Sequence, residues 1–221
     1  MATSVTSLEF LKSKKPHPHK NITDKTLSRA IRLWCEDRKK AKRTYGHISG
    51  WDVSEVKDFS FAFRAASDFD DNLSAWDMSN ATTTEGMFEG ASSFNGIGLA
   101  LWDVARVEEM QSMFKNATSF DSNINHWDVS RVSDMQNMFM GAEVFDQPLD
   151  EWQVFSVTTM RSMFDGAVRF SQPIFTWDVS SVEDMEFMFR NASSFDNTRV
   201  EELRVWHVLD TVVMNGMFSE S

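Results

Sequence analysis

Apolar residues recur along this chain at a nearly fixed interval. Tryptophans stand at Trp51, Trp76, Trp102, Trp127, Trp152, Trp177 and Trp206, separated by 25, 26, 25, 25, 25 and 29 residues. A period between about 20 and 50 residues marks an array whose units bury their apolar sides against one another. With each tryptophan as position 1, position 3 is Val53, Met78, Val104, Val129, Val154, Val179 and Val208. An apolar pair around a polar position 2 predicts a short strand. Positions 9, 12, 13 and 16 are apolar again, as in Met135, Met138, Phe139 and Ala142. Those offsets form one stripe on a short helix. Position 13 is phenylalanine in all seven units, from Phe63 to Phe218, and position 19 is Phe69, Phe94, Phe120, Phe145, Phe170 and Phe195. Position 15 is glycine or asparagine except at Ala65, a natural helix stop.

The pattern predicts an α/β repeat: a leucine-rich-repeat-like, right-handed solenoid with a short strand and a short helix in each coil of about 25 residues. Stacked strands would make the array roughly 30 Å long. Ahead of it, residues 24–43 read as one amphipathic helix carrying Leu27, Ile31, Trp34 and Cys35, with Thr23 or Asp24 as N-cap. Such a helix would cover the first coil's apolar edge. The expected organisation is therefore a flexible basic arm over residues 1–22, a helical cap over 23–50, and six full repeats with a partial seventh over 51–221.

The segments WDVSRVSDMQNMFMGAEVFDQPL and WDVSSVEDMEFMFRNASSFDN carry a further signal. They resemble the W-x-V-S-x-V-x-x-M-x-x-M-F-x-G-A-x-x-F repeat of the BspA-type leucine-rich-repeat surface proteins, also described as the mycoplasma-lipoprotein repeat. The resemblance covers about residues 24–221 and implies a solenoid without enzymatic activity that mediates protein contact or adhesion.

Composition narrows the setting. At 42% hydrophobic and 25% charged, the chain has the balance of a soluble folded protein, and no apolar run is long enough to span a bilayer. Cys35 is the only cysteine, which excludes an internal disulfide. The first twenty residues lack a signal-peptide core. Together these point to an intracellular location, cytoplasmic, with nuclear import open through the basic run Lys39–Arg43. Residues 1–50 carry 12 Lys and Arg against 4 Asp and Glu, while residues 51–221 carry 10 against 29. The acidic array would repel phosphate, so it is not expected to bind nucleic acid.

Outward positions of a stacked array form columns, and columns are candidate binding surfaces. Position 2 gives Asp52, Asp77, Asp103, Asp128, Gln153, Asp178 and His207. Neighbouring carboxylates about 4.8 Å apart repel by roughly 1 kcal/mol in water. Hydrogen bonds from position-4 serines, bound cations or a basic partner would each offset that repulsion. Position 5, with Glu55, Arg106 and Arg131, varies as a specific partner surface would. Position 20, with Asp70, Asn95, Asp121, Asp146, Ser171 and Asp196, reads as turn chemistry, and the methionines read as core filler. Cys35 reads as an inert packed thiol. The lengthened sixth interval, Asn197–Arg204, reads as a bulging loop, and the last coil is expected to expose part of Trp206, Val208, Met214 and Phe218.

No nucleophile, metal or phosphate motif stands out. His17 and His19 lack a third ligand, and His126 and His207 fall in different repeats. No cofactor is therefore expected. The reading is a non-enzymatic protein–protein interaction scaffold engaging a partner with a basic surface. The alternatives are a subunit that self-associates through ends or faces and, more weakly, an enzyme or carbohydrate-binding module with exposed aromatics.

Overall fold

The computed structural model describes residues 22–195 and 197–219. The expected arm up to residue 21, with His17 and His19, lies outside them, as does Asp196. Two helices open the chain, α1 over Asp24–Glu36 and α2 over Arg38–Tyr45. The sequence predicts a single helix here. The break falls at Asp37, whose backbone leaves the helical region (φ −146°, ψ 81°) and whose carboxylate accepts from Lys40 N to cap α2. Leu27, Ala30, Ile31 and Trp34 form the buried face of α1. Cys35 sits at the surface rather than in that face, and desolvation of its sulfur raises the thiol above its ordinary value.

From Trp51 onward the chain forms coils laid on one another in register, but without the expected secondary structure. Among the described residues no coil contains a β-strand, and no helix occupies positions 9–16. One isolated parallel bridge joins each coil to the next, in the series Asp58–Thr83–Glu109–Asp134–Thr159–Asp184–Val213. The α/β, leucine-rich-repeat-like solenoid with a strand and a helix per coil is therefore not the fold.

The backbone dihedrals give the reason. Positions 11 and 15 both take positive φ, which a helix cannot contain. Position 15 holds Ala65, Gly90, Asn116, Gly141, Gly166 and Asn191 at 57° to 71°; position 11 holds Phe61, Gly86, Ser112, Asn137, Ser162, Phe187 and Gly216 at 52° to 62°. Two left-handed residues four apart turn alternate amides outward. In the fourth coil, the N–H groups of Met135, Asn137, Phe139 and Gly141 donate to Thr159, Arg161, Met163 and Asp165 O of the next coil, at 2.8–3.1 Å. The amides of Met138, Met140 and Ala142 instead close local turns onto residues three back. Each segment is a ribbon of turns whose apolar stripe is the expected one, but whose hydrogen bonds run half along the chain and half between coils.

The core is a set of aromatic columns. Consecutive position-13 rings stack from Phe63 to Phe218 at 5.3–5.8 Å, within 11° of parallel. Within a coil the position-19 ring packs on the same phenylalanine, at 3.7 Å for Phe114 and Phe120. Burying one such ring is worth roughly 1.5–3 kcal/mol, and each offset pair adds about 0.5–1.5. Met110, Met135, Met160 and Met185 fill the space between, fully buried, whereas Met214 and Phe218 in the last described coil are 44% and 36% exposed.

A buried indole must place its N–H. Trp102 Nε1 donates to Leu73 O at 3.1 Å, an oxygen that already accepts Trp76 N at 3.0 Å. The same double use of one carbonyl recurs at Leu99, Ile124, Leu149 and Ile174. The apolar residue three before each tryptophan thus ties two successive coils.

The cap ends this ladder at the first coil. Position-7 amides from Thr82 onward donate to the position-7 carbonyl of the preceding coil; Lys57 has no such carbonyl. Asp24 Oδ1 replaces it, accepting from Lys57 N at 2.8 Å and Asp58 N at 3.1 Å. Trp34, fully buried, meets Trp51 edge-on and donates through Nε1 to Asp71 at 2.8 Å. At the far end the lengthened interval forms a short helix, α3 (Asn197–Glu202), and a 3-10 turn (Leu203–Val205) rather than an irregular bulge, and Trp206 still stacks on Trp177 at 6.4 Å.

Two outcomes test this account. Phe61 lies over Gly86, where an added Cβ would come within 2.5 Å of the ring. Gly86→Ala is therefore expected to cost about 2 kcal/mol, from left-handed strain plus the clash. Urea unfolding should show about half of it regained in the double variant with Phe61→Ser. Asp24→Ala leaves two amides without an acceptor and should cost about 1–3 kcal/mol, with Asp24→Asn milder. Equal losses for Asn and Ala would refute the acceptor role.

Candidate binding surface

The turn after each tryptophan carries the position-2 column. Asp52 Oδ1 accepts from Ser54 N and Oγ at 3.1 and 2.7 Å, Asp77 from Ser79 at 3.0 and 2.6 Å, and Asp128 from Ser130 at 3.0 and 2.6 Å. Asp103 accepts from Ala105 N and Asp178 from Ser180 N, each at 3.1 Å. All five carboxylates are exposed. Hydrogen bonds from the serine two residues on hold Asp77, Asp128 and Asp178 below the ordinary carboxylate value. The Asp-x-Ser spacing thus fixes where each charge points.

The fifth coil departs at both positions, with Gln153 for aspartate and Phe155 for serine. Phe155 is 45% exposed. Gln153 and Glu151 of this coil line a cavity of about 240 Å³ with Asn125, His126, Trp127, Asp128, Val129 and Ser130. Asn125 braces its wall, its Oδ1 accepting from Glu151 N at 3.1 Å and its Nδ2 donating to Asp150 at 3.0 Å. Of the residues read from sequence as candidates, Asp128 and Gln153 meet at this cavity. Asp52, Asp77, Asp103 and Asp178 occupy other coils.

The remaining columns sort themselves by their bonds. At position 5, Arg106 donates to Asn80 Oδ1 at 2.8 Å, while Glu55 and Arg131 stand exposed. At position 20 three aspartates accept from the next coil's backbone: Asn95 N to Asp70, Asp146 N to Asp121, Ser171 N to Asp146, at 2.9–3.2 Å. That column knits coils together. On the ribbon face, ion pairs also cross between coils, with Arg64 on Glu89 at 2.8 Å and Arg190 on the buried Asp165. Among the described residues no group of three or more His, Cys, Asp or Glu is placed to hold a metal ion. Nor is any helix among them long and apolar enough to cross a membrane.

Sequence reading passed over Phe155, Phe175 and Glu151. Phenylalanine at position 4, where the other coils up to the sixth carry serine or alanine and the seventh carries Leu209, was the available signal for the first.

These features define a turn-built repeat protein whose exposed columns are set by stacking. The family described as mycoplasma protein of unknown function, DUF285, matches residues 36–147 and again 120–221. The chain belongs to that family. The two matches overlap, as similar coils in series allow. No curated protein and no solved structure matches the chain.

One pH dependence follows from the ribbon face. Desolvation, then the charge of Glu109, raises Asp134 above its ordinary value, and the same causes raise Glu85. A carboxyl whose folded pKa lies above its unfolded one favours the protonated folded state, so stability rises as pH falls through the folded value. Asp134→Asn keeps an acceptor for Gln136 N, which now bonds at 2.8 Å. It should raise Tm by about 1–2 °C at pH 7, with the gain shrinking toward zero below about pH 4. A gain that grows in acid would contradict this assignment.

Proposed function

We propose that the chain is a non-enzymatic protein–protein interaction scaffold that meets a basic partner through the face beside its tryptophans. Asp52, Asp77, Asp103, Asp128 and Asp178 are its acidic contacts, with Gln153, Glu55, Arg106 and Arg131 shaping the surface around them. The supporting observation is the preset carboxylate column: repeated turns hold five exposed charges in fixed register. Like charges aligned on a rigid frame speed encounter with an opposite surface and discriminate against acidic ones. Pre-organised side chains also lose little freedom on binding. The narrower kinship to BspA-type surface proteins, carried by the W-D-V-S and M-F motifs, fits a role in protein contact and forms part of this proposal.

The test is affinity capture from the native source with wild type and with Asp103→Lys combined with Asp128→Lys. The expected result is loss of basic partners in the double variant, with Tm lowered by no more than about 5 °C because only turn hydrogen bonds are removed. Identical partner sets for both proteins would place binding elsewhere.

A further inference from the structure

The fifth coil is where the repeated surface is broken, and the break has a consistent chemistry. Stacking does not ask for it. Positions 2 and 4 point outward, and every earlier coil keeps aspartate at position 2. Gln153 and Phe155 give up a charge and a serine donor and set a phenyl ring 45% in water. Leaving that much of a phenyl ring in water costs free energy that a bound apolar group would recover. The next coil adds a second exposed ring, Phe175, two residues before its tryptophan and 44% exposed, where the fourth and fifth coils carry Asn125 and Asp150. Gln153, two residues before Phe155, lines the cavity of about 240 Å³ together with Asn125 and the acidic Asp128 and Glu151.

We propose that this place is the specificity pocket of the scaffold: it takes an extended peptide segment with an arginine or lysine in the cavity and an apolar side chain against Phe155. The inference rests on the scaffold reading above and names the partner's chemistry. Two carboxylates and two amide oxygens match a cation's donors, and an arginine reaches more of them at once than a lysine does. Phe155 gives the guanidinium an aromatic face and the following residue an apolar seat. Successive coils stack their rings 5.3–5.8 Å apart and an extended peptide advances about 3.3 Å per residue, so anchors one coil apart stand about two residues apart.

The experiment uses the full chain and fluorescein-labelled dodecapeptides of glycine and serine. Each carries one arginine followed two or three residues later by tryptophan, and a control set has glutamate in place of arginine. In fluorescence polarisation the arginine peptides should bind at least tenfold more tightly than the controls. Phe155→Ser, which installs the serine of other coils and should leave Tm within about 2 °C, is expected to weaken them at least fivefold. Glu151→Gln should do the same while leaving binding of the control peptides unchanged. No preference for arginine, or affinities unchanged in both variants, overturns the proposal. Affinity lost on changing Asp77 and Asp178 but kept in Phe155→Ser overturns it while sparing the wider acidic face. Binding of neutral oligosaccharides that is lost in Phe155→Ser, with no peptide binding, overturns both readings.

Discussion

The array depends on how its main-chain amides are divided. In a helix all would point along the axis, and in a sheet alternate ones would point to either side. Here a left-handed residue at positions 11 and 15 sends one amide in two to the next coil and leaves the other to close a turn. No stretch of chain is self-sufficient, and each coil is held only when its neighbours are present. That is the physical meaning of the missing strands and helices: the structure is regular between coils rather than within them.

Side chains are selected by the same constraint. Ring columns need equal spacing, which the common register supplies, and methionine fills the gaps where successive coils differ. The indole N–H could be a liability in such a core. It is absorbed because carbonyls such as Leu73 O have two lone pairs and serve a turn and a neighbouring coil together. Charges on the ribbon face follow suit, with Arg64, Arg161 and Arg190 each meeting an acid of the adjoining coil.

Much of this was legible beforehand. The period, the buried positions, the structural role of position 20 and the capping role of the first segment all follow from apolar spacing and turn residues. The local conformation did not follow. Offsets of three, four and seven describe a helix stripe, and they equally describe a ribbon of turns. Gly86, Asn137 and Gly216 at position 11 hinted at the second. Phe61 and Phe187 hid the hint, because phenylalanine rarely takes a left-handed backbone unless the surrounding structure compels it. Asp37 was likewise invisible as a break, lying within a run of good helix formers. For the surface, a column of aspartates could be listed but not weighed. Only the serine contacts separate its turn-making role from its charge, and only the coordinates set Glu151 beside Asp128.

Asp24 has an implication for assembly. A row of unsatisfied amides at the side of a stacked array is a template on which another molecule can continue the pattern, as open sheet edges do in fibrils. By occupying Lys57 and Asp58 N–H with a carboxylate, α1 turns that template into a stop. A second molecule arriving there would find acceptors already in place and a negative charge facing its own carbonyls. One side chain thereby closes the two amides through which a neighbour's carbonyls would otherwise extend the stack.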